Sequence, residues 1–159
     1  MNAVRHRPHL LRAATAASVV AFVSWAAPSL AAPVKLDDTG TYLSPPNLRM
    51  TWRDSAVGSR QMEAQARLVV RLDTRAYAGR QARIYLVMPQ DIGGSLAMHW
   101  QGRGLLMPGR ISPGERALVF QGRVPGSVIE DQWSLMLVAD GAWMSESRRL
   151  ECSFDIEWD

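Results

Sequence analysis

The chain has 159 residues, and its formal net charge of +3 comes entirely from Arg5, Arg7 and Arg12. From Ala32 onward, 15 basic residues balance 15 acidic ones, so the overall basicity gives no support for nucleic-acid binding. One cysteine, Cys152, excludes an intramolecular disulfide, and one histidine after the opening segment, His99, removes most metal-site and nucleophile–base arrangements.

The three early arginines precede an apolar run over residues 13–27 and then Pro28-Ser29-Leu30-Ala31. A positive start, an apolar stretch and small residues at Ser29 and Ala31 are the parts of a secretory signal peptide, predicted over residues 1–31 with cleavage after Ala31. The apolar run is shorter than the roughly 20 residues a membrane-spanning helix needs. Export to the bacterial periplasm or beyond is therefore expected, with no stable membrane insertion after cleavage. Residues 32–47 are polar, with Val34, Leu36, Tyr42 and Leu43 as their only sizeable apolar side chains, and predict an extended, mobile lead-in arm. Residues 48–159 suffice for one domain with its own core.

Within that domain the dominant period is two, which places alternate side chains on opposite faces of a strand. Leu48, Met50 and Trp52 alternate with polar residues, and a turn is expected over residues 54–60. Met62, Ala64, Ala66, Leu68, Val70 and Leu72 form the second alternation, so the alanine-rich start predicts strand rather than helix. Residues 81–88 are apolar on both faces and predict a central strand, ended by Pro89. Leu96, Met98 and Trp100 mark another strand, and residues 105–107 a short edge piece among glycines. Ser112-Pro113-Gly114-Glu115 predicts a type II turn before a strand over residues 116–124. Trp133, Leu135, Leu137 and Ala139 define a strand over residues 132–139, followed by a hairpin turn at Asp140-Gly141 and a return over 142–145. Leu150, Cys152, Phe154, Ile156 and Trp158 close the chain as a strand over residues 149–159. Seven to nine strands without a helix predict an all-β fold. An antiparallel β-sandwich of immunoglobulin-like architecture is expected ahead of a barrel.

Little in the chain carries chemistry. There is no Gly-x-Ser-x-Gly elbow, and Gly93-Gly94-Ser95 lacks the lysine of a phosphate loop. His99 lies opposite an apolar face and should meet solvent. Asp91, Glu115 and the pair Glu130-Asp131 are expected to be solvated loop acids, and Trp133 and Trp143 to pack in the core or at a sheet edge. Cys152 is expected to be a buried, inert thiol. No catalytic, cofactor-binding or metal-ligating residue is predicted.

Charge is unevenly distributed: residues 49–123 hold 12 basic and five acidic residues, and residues 124–159 two basic and eight acidic. Arg67, Arg71 and Arg83 share alternation with outward polar residues, as do Glu151, Asp155 and Glu157. These groups either pair across neighbouring strands or, in the functional reading, the arginines contact an anionic partner. The expected function is an exported, non-catalytic binding or assembly module of the bacterial cell envelope, contacting an envelope protein or an anionic surface polymer. The alternative is a polymerising, pilus-like subunit, and a carboxylate-based hydrolase comes a distant third.

Overall fold

The computed structural model describes residues 32–53, 60–90, 95–141 and 150–159. The predicted leader, Asp91, Trp143 and the expected return strand over residues 142–145 lie outside them. Among the described residues are ten strands: β1 (Val34–Lys35), β2 (Tyr42–Ser44), β3 (Thr51–Trp52), β4 (Gln61–Asp73), β5 (Gln81–Val87), β6 (Ala97–Gly102), β7 (Gly109–Ile111), β8 (Arg116–Arg123), β9 (Val128–Asp140) and β10 (Ser153–Trp158). A 3-10 turn, Arg75–Tyr77, follows β4. The strands form two antiparallel sheets. One has four strands in the order β1-β10-β5-β8; the other has six, ordered β2-β4-β9-β6-β7, with β3 also on β4.

The axis of the larger sheet is the pair β4 and β9, joined from Gln61 opposite Asp140 to Asp73 opposite Val128. Alternation decides which side chains go inward. Met62, Ala64, Val70 and Leu72 of β4 are buried, as are Ile129, Trp133, Leu135, Leu137 and Ala139 of β9. All of these but Met62 join Ile84 and Leu86 of β5 and Phe154 and Ile156 of β10 in one apolar cluster, which gives the sandwich-like packing of the two sheets. The rings of Trp100 and Trp133 stack at 5.3 Å, and Phe154 meets Trp133 edge-on at 6.0 Å across the sheet interface. Such residues each contribute about 1.5–3 kcal/mol through burial, before chain entropy opposes it.

Several boundaries differ from the alternation. β9 starts at Val128 rather than at 132 because its inward series continues back through Asp131, whose polarity hides it in the sequence. β10 is shorter than residues 149–159, with Leu150 and Cys152 packed partly buried ahead of it. β5 is the central strand expected, between β10 and β8. Its pairing to β8 shifts register between Ile84 and Tyr85, a bulge that passes over Val119. Gly114 has φ of 83°, as the type II turn at residues 112–115 requires, and Glu115 N–H donates to Ser112 C=O at 3.1 Å.

The lead-in is extended but is not a free arm. Val34 and Lys35 pair with Ile156 and Asp155 of β10, and Leu36 N–H donates to Phe154 C=O at 2.7 Å. Leu36 is 3% exposed. The chain then crosses to the other sheet, where Tyr42, Leu43 and Ser44 pair with Val69, Leu68 and Arg67 of β4. Backbone hydrogen bonds, the Thr41 hydroxyl bonded to the backbone of Arg71, and Leu36 with the partly buried Leu43 hold it, and none of these leaves an alternating pattern in a polar segment.

Candidate functional site

The structure separates the three candidate arginines. Arg67 and Arg71 lie on the outer face of β4 in the six-stranded sheet, whereas Arg83 faces outward from β5 in the four-stranded one. The outer faces of two stacked sheets point in opposite directions, so the three do not form one patch. Arg71 is directly opposite Glu130 and pairs with it, Nε to Oε1 at 3.0 Å. Arg83 is directly opposite Glu157, but that carboxylate accepts instead from Arg116 Nη2 at 2.9 Å. The Arg116 guanidinium also lies 4.2 Å from the centre of the Tyr85 ring. With Lys35 opposite Asp155 as well, the outer face of the smaller sheet is charge-mixed.

The outer face of the larger sheet is organised differently. Residues directly opposed in a ladder share a face, so the register assembles rows that cross the strands. One row runs Ser44, Arg67, Ser134, Gln101 from β2 to β6. Its neighbour on one side runs Gln65, Met136, His99, Arg110 from β4 to β7. On the other side lie Tyr42, Val69 and Gln132. None of these eleven residues is acidic. The next rows outward contain Glu63 and Glu130, and each is held by its own arginine: Glu63 by Arg53 at 3.6 Å and Glu130 by Arg71. Arg67 and Arg110 are exposed and make no ion pair among the described residues. At about 4.8 Å per strand, the stripe from β4 to β7 spans about 14 Å.

His99 does face outward, half-buried in the middle of the stripe. It, Arg110 and the three glutamines were not singled out as partners in the sequence reading. The alternation that marks their inward neighbours would place each of them outside, but only the strand order brings them together. Chemically the stripe offers guanidinium donors together with amides and hydroxyls that both donate and accept. It is suited to holding an acceptor-rich ligand.

The acids are dispersed. Asp131 is not a solvated loop acid: it is 8% exposed on the core face of β9. Its Oδ1 accepts from Gly104 N–H at 3.1 Å and Gln132 N–H at 2.7 Å, and its Oδ2 from Leu106 N–H at 3.1 Å. Those bonds clamp the loop between β6 and β7, which Trp100 also holds by donating Nε1–H to Met107 C=O at 2.9 Å. A Cβ at Gly104 would fall 2.6 Å from the Asp131 carboxyl, so this approach requires glycine. Glu130, one residue earlier on the strand, points to the opposite face, and the two carboxylates do not converge. Glu115 accepts from Ser112 N–H at 2.8 Å within its own turn. Among the described residues no three His, Cys, Asp or Glu side chains gather as metal ligands would. Burial pushes the Cys152 thiol up to about 11.

In comparisons with known proteins, no family model matches the chain, and neither does any curated protein or solved structure.

Proposed function

We propose that this chain is an exported, non-catalytic binding module of the bacterial cell envelope, of immunoglobulin-like architecture, that engages an acidic partner through the outer face of its six-stranded sheet. The observation that carries the reading is the acid-free stripe, with Arg67 and Arg110 making no ion pair among the described residues and Glu63 and Glu130 neutralised at its margins. Exposed cations that make no ion pair among the described residues need break no salt bridge to meet an anion, and they steer its approach. Of the arginines read from the sequence, Arg67 is at the centre of this site, Arg71 at its margin and Arg83 on the opposite face. The leader over residues 1–31 supports export. A lead-in paired within its own chain supports a discrete module over a strand-exchanging, pilus-like subunit.

Passing envelope extract over the immobilised protein at low and high salt tests the reading. Retention should occur at low salt, fall at high salt, persist in Arg83→Ala and vanish in the double variant Arg67→Ala/Arg110→Ala. A variant-independent result, or no retention alongside turnover of a cell-wall substrate, overturns it.

A further inference from the structure

We infer that the ligand of this stripe is an acidic polysaccharide lying across the strands, from β2 towards β7. The inference rests on the binding role proposed above and adds the ligand's class and direction. Direction follows from where the acids are. A polyanion laid along β4 would run from Arg67 into the Arg53–Glu63 pair one way and to Arg71 the other, and one laid along β9 would meet Glu130. Arg53 and Arg71 are both already engaged by a carboxylate. Laid across the strands, it meets Ser44, Arg67, Ser134 and Gln101 in sequence and encounters no carboxylate. The donors recur at each interstrand step of about 4.8 Å, a spacing comparable to one sugar ring.

Ligand class follows from what surrounds the cations. Amide and hydroxyl side chains outnumber the arginines, and each both donates and accepts, as sugar hydroxyls do. Tyr42 stands beside Val69 at the β2 end with 58% of its surface exposed, offering a ring face to a pyranose. An acidic protein surface fits less well. The stripe's only aliphatic or thioether side chains, Val69 and Met136, are half-buried, so the apolar centre that protein interfaces use is missing from it.

The test is titration of the full mature chain with polygalacturonate, dextran sulfate, unmodified dextran and polyglutamate matched in charge. At least one acidic polysaccharide should bind tenfold or more tightly than dextran and polyglutamate, and the two acidic arms tell carboxylate from sulfate recognition. Arg67→Ala and Arg110→Ala should each weaken that binding about tenfold, and Tyr42→Ala about fivefold. Arg83→Ala should leave it unchanged, and unchanged melting temperatures verify that each variant is folded. Equal binding of polyglutamate overturns the polysaccharide assignment while leaving an acidic partner in place. Failure of both acidic polysaccharides, with arginine-dependent retention from envelope extract preserved, overturns this inference alone. Loss of that retention as well overturns the binding module itself.

Discussion

Asp131 and Leu106 are 25 positions apart in the chain, yet the carboxylate of one accepts the backbone N–H of the other at 3.1 Å inside the sheet edge. The same side chain takes the N–H of Gly104, so a single buried acid satisfies two donors of the loop between β6 and β7. Buried donors left without a partner are expensive, which makes this acid structural.

Replacing Asp131 by alanine should therefore lower stability by about 2–4 kcal/mol, read by urea denaturation. Gly104→Ala, which forces a Cβ against that carboxyl, should cost a similar amount. Glu130→Gln removes only a surface ion pair and should change stability by less than about 1 kcal/mol. Equal losses for Asp131 and Glu130 variants would contradict the clamp.

Leu36 ties the lead-in to the core. Leu36→Ala should cost about 2–3 kcal/mol despite its place in a polar segment. Deleting residues 32–45 should uncover the edges of β10 and β4 and promote self-association, visible by light scattering after size exclusion. A deletion variant as monodisperse and stable as the parent would show that these pairings contribute nothing.

Cys152 should label slowly with thiol reagents in the native state at pH 8 and rapidly in denaturant, because burial favours its neutral form. The sign of its linkage to stability follows from the shift upward, from 9.0 to about 11. Below pH 9 both folded and unfolded chains keep the proton. As pH rises towards 11 the unfolded chain releases it first, so stability falls across that window. Cys152→Ala should show a shallower loss of stability between pH 9 and pH 10.5 than the parent; identical slopes would refute the assignment.

Much of the architecture was readable because apolar side chains recur with a period of two and glycine, proline and aspartate mark the turns. β4, β5 and the inward face of β9 follow from that alone. Asp131 escaped because the rule that places Trp133 and Leu135 inside assigns polar residues outside, and only three backbone N–H groups justify the exception. The lead-in escaped because it is attached by main-chain pairing and by the isolated side chains Leu36, Thr41 and Leu43, which form no alternation. The candidate site was half-readable: Arg67 is outward by alternation, but its grouping with Arg110 and separation from Arg83 depend on strand order, which local patterning does not encode.

The first described strand, β1, lies against the last, β10. A sheet joined in this way cannot close until the late part of the chain is available, whatever has already been made. Contacts this distant in sequence also slow folding. During synthesis β1 and β5 therefore lack their β10 neighbour until the last residues of the chain have been made, so the smaller sheet is completed last.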